Sequence, residues 1–144
     1  MYDTVLVPTD GSDVSVAAGQ EAVELTKSDG TVHALAVLED IPMYNQSGKG
    51  AKLETRDRSN ERAGLEEATQ QISKTAERAG VNSVSAVTEG VPHHQILEYA
   101  DNNSVDAIVM GKRGREAAVN DMLGSTTDRV VRRANTTVIT VPEA

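Results

Sequence analysis

Gly111, Gly114, Gly124 and Ser125 are the residues of this sequence whose types and spacing could do chemistry together. Two residues separate the first pair of glycines and nine separate the second, and Thr126 and Thr127 follow Ser125. Glycine reaches positive φ and lets the backbone approach a ligand with no Cβ in the way. At the start of a helix, hydroxyls and unpaired N–H groups sit where the macrodipole is positive and can wrap an anion. Lys112, Arg113 and Arg115 make the stretch locally basic. The chemistry on offer is the holding of a polyanion, phosphate above all. The competing reading is a surface loop with incidental glycines. A loop of this length in a compact domain is uncommon without a function, and Gly-Ser-Thr-Thr falls on a helix start.

Two common phosphate motifs are absent. Neither G-x-x-x-x-G-K-[ST] nor G-x-G-x-x-G occurs in the chain, which excludes a P-loop and a dinucleotide fingerprint. Gly111-Lys112-Arg113-Gly114 does match the GxxG loop of KH-type RNA-binding modules. That reading leaves Gly124-Ser125 unexplained and conflicts with a net charge of −8, since nucleic-acid binding needs a positive field. Other candidates take plainer roles. His93 and His94 are adjacent, and adjacent helical residues do not share a face, so they make a poor metal pair. His33 falls inside a strand and reads as structural. Asp13 reads as a helix cap. Tyr2, Tyr44 and Tyr99 are too scattered for a stacking platform.

The elements that must position the glycine stretch follow from the pattern. Thr4 to Pro8 is an apolar run suited to the inside of a parallel sheet. Thr9-Asp10-Gly11-Ser12 is a turn. A helix follows with Val14, Ala18, Ala22 and Leu25 on one face, Ser12 or Asp13 as N-cap, and an end before Asp29-Gly30. Thr31 to Leu38 is the second strand, and 43–50 an exposed loop. A long polar helix over Leu53 to Ala79 buries Leu65, Ala68, Ile72, Thr75/Ala76 and Ala79, with Gly80 closing it. Val81 to Thr88 is a weaker, edge-type strand. Pro92 opens a helix carrying Ile96, Leu97 and Ala100. Val105 to Met110, a helix over Met122 to Ala134, and a last strand over Thr136 to Val141 complete the chain.

Strands alternating with helical crossovers define an α/β fold, a single-domain open parallel five-stranded sheet with helices on both faces. In such a sheet, ligands bind beyond the carboxyl ends of the strands where strand order reverses. Pro8-Thr9-Asp10, Val37-Leu38 and Met110-Gly111 are expected to converge there on the glycine loop.

The totals narrow the class. A chain of 144 residues supports one core. It has no cysteine, which excludes disulfides and thiolate metal sites. No apolar run matches a membrane span and no basic leader opens the chain, so a soluble cytoplasmic protein is expected. Acidic residues outnumber basic ones 22 to 14. There are 18 Val and 17 Ala but no Phe or Trp, and only 5 Lys. This balance resembles the proteins of salt-loving archaea, and a halophilic protein is expected.

The opening VLVPTDGS, the Gly90-x-Pro92-x-x-x-Ile96 segment and above all the G-x2-G-x9-G-S spacing resemble the universal stress protein family, in its adenine-nucleotide-binding, UspA-like form. The resemblance implies a Rossmann-like sheet of order 3-2-1-4-5. It implies that ATP, or ADP or AMP, is the ligand. By position it assigns Pro8, Thr9 and Asp10 to the nucleoside, with Asp10 on the ribose, and Val37 to adenine. Met110, Gly111, Arg113, Gly114, Gly124, Ser125, Thr126 and Thr127 complete the set around the phosphates. Asp10 could also help hold Mg²⁺ through the phosphates. The family further implies a homodimer through the last strand, Val138 to Val141. A binding protein without substantial turnover is the expected role, as no convincing catalytic base stands out beyond Asp10. A slow ATP hydrolase or phosphoryl-transfer enzyme in the same pocket is the alternative, and a KH-like RNA binder the third.

Overall fold

The structure is a computed structural model that describes residues 1–39, 49–112 and 123–142, with the side chains of 49–57 left aside. Along the described chain run β1 (Tyr2–Pro8), α1 (Asp13–Leu25), β2 (Thr26–Glu39), α2 (Lys49–Arg78), β3 (Asn82–Gly90), α3 (Pro92–Asn102), β4 (Ala107–Gly111), α4 (Ser125–Arg133) and β5 (Thr137–Val141). The strands form one parallel sheet of order β3-β2-β1-β4-β5. This is the expected architecture and strand order.

Strand alternation divides the core into two layers. Val5, Val7, Val32, Ala34 and Val109 face Ala18 and Ala22 of α1 and Ile72 and Ala76 of α2. Leu6, Leu35, Ile108 and Met110 face Ile96 and Ala100 of α3 and Val130 of α4. Small side chains set the spacing of the first layer. A Cβ on Gly19 would lie 3.0 Å from Ile72 Cγ1, so α1 and α2 approach closely at this point.

The helix ends follow local chemistry. Ser12 caps α1, its hydroxyl accepting from the Ser15 N–H. Pro92 opens α3, where its missing N–H costs nothing. Gly80 closes α2 at φ +77°. There the Val81 N–H donates to the Ala76 carbonyl and the Gly80 N–H to the Glu77 carbonyl, a Schellman motif.

Several boundaries differ from the sequence expectation. Helix α1 ends at Leu25, and β2 begins at Thr26 instead of Thr31. The Asp29-Gly30 pair marks an irregularity within the strand: Tyr2 pairs with Thr26, but Thr4 pairs with Thr31. A Cβ on Gly30 would stand 2.6 Å from the Asp3 carbonyl oxygen, so the glycine serves close backbone approach and not a free turn. Helix α2 buries Thr69 and Ser73 along with Ala68, Ile72 and Ala76, while Ala79 is exposed. Hydrophobicity alone misses those two because their hydroxyls are satisfied locally, Thr69 on the Glu66 carbonyl and Ser73 with Ser85 of β3. Helix α4 begins at Ser125, not Met122, with Gly124 as its N-cap. Helix α2 begins at Lys49 instead of Leu53, so the end of the loop expected over 43–50 is helical; the rest of that loop lies outside the described residues.

Candidate functional site

β1 and β4 share ladder positions at Val5↔Ala107 and Leu6↔Ile108. Beyond them their carboxyl-terminal ends leave the sheet as neighbours, with α1 following one and the glycine stretch the other. Strand order reverses here, since β2 and β3 extend from β1 on one side and β4 and β5 on the other. This is the crevice where open α/β sheets take their ligands.

The β1 end is held rigidly. The Thr9 N–H donates to the Leu35 carbonyl at 2.8 Å and draws the chain toward β2. Thr9 is buried. Its hydroxyl accepts from the Gly11 N–H and meets Ser15 Oγ at 2.8 Å, while Ser15 Oγ in turn donates to the Ser12 carbonyl. Thr9 is thus engaged in shaping the turn. Gly11 holds φ +84°, which lets the chain reverse into α1. Asp10 is half-buried, and its Oδ1 accepts from the Ser12 N–H at 3.0 Å. That bond fixes the carboxylate at the mouth of the crevice.

The β4 side is closed at its base. The Lys112 N–H donates to the Val141 carbonyl, and the Gly124 N–H donates back to the Lys112 carbonyl at 3.0 Å. The Thr127 hydroxyl donates to the Gly111 carbonyl, also at 3.0 Å. The start of α4 is therefore tied to the end of β4 by two bonds. Gly124 is buried and has no side chain with which to cap the helix. The first-turn N–H groups of an α-helix have no intrahelical acceptors. Ser125 is exposed there, Thr126 is half-buried and Thr127 is buried. The arrangement can receive an anion through backbone N–H groups and the Ser125 hydroxyl.

The remaining expected residues divide. Pro8, Met110 and Gly111 are buried at the two strand ends, and Val37 is half-buried on the α3/α4 face of β2. Arg113 and Gly114 lie outside the described residues. Ser12 and Ser15 carry the turn network beside Thr9. A serine three residues after a capping serine is the sequence signal for that network, a weak one because both are also ordinary helix-start residues. Among the described residues, no group of three or more His, Asp or Glu side chains could hold a metal ion.

The second layer carries two histidine contacts. His33 Nδ1 meets Tyr99 Oη at 2.6 Å, joining β2 to α3, and burial holds His33 below and Tyr99 above its ordinary pKa. His93 is buried, and Arg133 Nη1 lies 3.0 Å from its Nε2, joining α3 to α4. A guanidinium only donates, so Nε2 accepts and the ring is neutral with its proton on Nδ1. Burial, then the charges of Arg133, His94 and Arg129, hold His93 below the ordinary histidine value.

An open parallel α/β sheet whose strand order reverses between β1 and β4 defines a doubly wound class of domain, which takes its ligands at that switch point. Comparison with known proteins gives the family within that class. Residues 1–142 match the model of the universal stress protein family, and the chain belongs to that family. Universal stress protein MJ0531 of Methanocaldococcus jannaschii is 33% identical over 142 residues, covering 98% of this chain and 82% of that protein. The structure of the universal stress protein UspA from Lactobacillus plantarum superposes with a TM-score of 0.85 at 28% identity, covering 97% of each chain. A universal stress protein solved in complex with cAMP superposes with a TM-score of 0.69 at 26% identity, covering 99% of this chain and 98% of that one.

Proposed function

We propose that this protein is an adenine-nucleotide-binding regulatory protein of the stress response, with ATP as its ligand. The observation that carries the reading is the start of α4. It is uncapped by any Gly124 side chain, bears an exposed Ser125, and is tied to the end of β4 beside the end of β1. In this reading the phosphates lie on the N–H groups of Ser125, Thr126 and Thr127 and on the Ser125 hydroxyl. Gly111, Gly114 and Gly124 allow close approach, and Arg113 adds charge. Asp10 accepts from a ribose hydroxyl, and Pro8, Val37 and Met110 line the base. The side chains of Thr9 and Thr127 contribute mainly by shape, because their hydroxyls already have partners within the chain. Mg²⁺, where present, travels with the phosphates near Asp10. The universal stress protein that binds cAMP supports a nucleotide as the ligand class.

The test is Ser125→Asp, followed by calorimetric titration with ATP. An acidic residue in the first helical turn favours folding through the helix dipole, by about 0.3–1 kcal/mol. The same charge repels a phosphate. The variant should melt no lower than the wild type and bind ATP at least about tenfold more weakly, about 1.4 kcal/mol. Unchanged ATP affinity in the folded variant would overturn the proposed phosphate site. Mass spectrometry of ligand released from purified protein should find an adenine nucleotide.

A further inference from the structure

Thr88 is the ladder partner of Val37, one strand further out in the sheet. Partners in a parallel ladder lie on the same face, and alternate residues of a strand share a face. Ala86 packs with Val37 against the layer of Leu6, Leu35 and Ile96, so Thr88 belongs to that layer as well. The opposite face of β3 is occupied differently: Ser85 meets Ser73, and Glu89 pairs with Arg58 and Arg62, all from α2.

The Thr88 hydroxyl oxygen is closed to solvent and has no hydrogen-bond partner; among the described residues it is the buried side-chain polar atom left in that state. Such a group has lost water and gained nothing in return. Valine has nearly the same shape and would fill the position without that cost. A hydroxyl held there at the expense of stability calls for a partner that the described residues do not provide.

We infer that Thr88 is an affinity-determining residue of the nucleotide site, its hydroxyl donating to an acceptor nitrogen of the purine ring seated against Val37. The inference rests on the nucleotide reading given above. Thr88 as a whole is half-buried although its oxygen is not exposed. A turn of about 120° about χ1 moves threonine between staggered wells and exchanges hydroxyl and methyl positions. That turn breaks no hydrogen bond, because none is made. A purine brought over Val37 then provides the acceptor.

Wild type, Thr88→Val and Thr88→Ser are titrated with ATP, and their nucleotide-free melting temperatures are measured. Thr88→Val should melt at or above the wild type and bind ATP about 5- to 20-fold more weakly, the scale of one hydrogen bond. Thr88→Ser, which keeps the hydroxyl, should stay within about threefold of the wild type. Wild-type affinity in Thr88→Val, a lowered melting temperature in that variant, or an equal loss in Thr88→Ser overturns the inference. Absence of ATP binding by the wild type overturns the nucleotide reading and this inference with it. Normal wild-type binding with an unaffected Thr88→Val overturns the inference alone.

Discussion

His93 shows how one residue couples two helices to proton concentration. Its Nε2 can accept from Arg133 only while the ring is neutral. The folded pKa lies below the ordinary histidine value of 6.5, so the unfolded chain binds the proton more readily than the folded one. Stability is then fully present above about pH 6.5 and is lost as pH falls through the lowered folded value. His33, also held low by burial, adds to the same slope. Melting curves between pH 7.5 and 5 should show this decline, and His93→Gln should flatten part of it. An equal decline in the variant would remove His93 from the account. Gly30 offers a test at the same scale. A Cβ there meets the Asp3 carbonyl oxygen at 2.6 Å and Thr26 Cγ2 at 2.7 Å. Gly30→Ala should cost about 1–3 kcal/mol by overpacking, read by denaturant titration. The convergence of the ends of β1 and β4 on the start of α4 was legible from type and spacing, but the bonds that hold them there were not. Nothing in the sequence says that the Thr127 hydroxyl bonds the Gly111 carbonyl across the loop, or that Thr9 leans on Ser15. Those bonds depend on how strand ends and helix starts meet in space.

Among the elements, strands β1 and β4 were readable because they are buried on both faces and so appear as unbroken apolar runs. Helix α2 was readable at its C-terminal end, less so at its start, which lies at Lys49 and not Leu53, and less so in face. Its stripe mixes Ala and Ile with Thr69 and Ser73, and a hydroxyl that bonds its own helix or a neighbouring serine hides from a hydrophobic pattern. The start of β2 was misread for a related reason. Asp29-Gly30 has turn chemistry, yet the chain keeps its strand there by shifting register against β1. At the end of α2 the sequence signal was sound. Gly80 sits at φ +77° with open space around its Cα, so only backbone strain opposes a side chain. Gly80→Ala should therefore cost about 1 kcal/mol, with no packing term added. A loss several times larger by denaturant unfolding would show that the left-handed turn is not the whole reason for the glycine.

For the whole molecule, charge and edges matter most. The net charge of −8 on a small domain makes self-repulsion part of the energetics. We expect the melting temperature to climb steeply from dilute buffer to molar KCl, in keeping with a halophilic protein. A flat response would leave the acidic surface as ordinary solvation. The sheet ends in two edges, β3 and β5. Among the described residues, β5 presents half-buried Val138, Ile139 and Val141 with one side of its ladder unpaired. An open, half-buried apolar edge of this kind favours pairing with a second strand. We expect a homodimer through Val138 to Val141, and sedimentation analysis of Ile139→Lys should show a monomer if that edge is the contact.

The two bonds that close the base of the glycine stretch carry a consequence for how such proteins diversify. Lys112 and Gly124 meet directly, and Gly111 meets Thr127 just beneath them. The strand end and the helix start are thus fastened to each other by bonds of their own. Grafting the corresponding segment of a relative between Lys112 and Gly124 should therefore reset ligand preference while keeping that fastening, so that recognition can drift without renegotiating the fold.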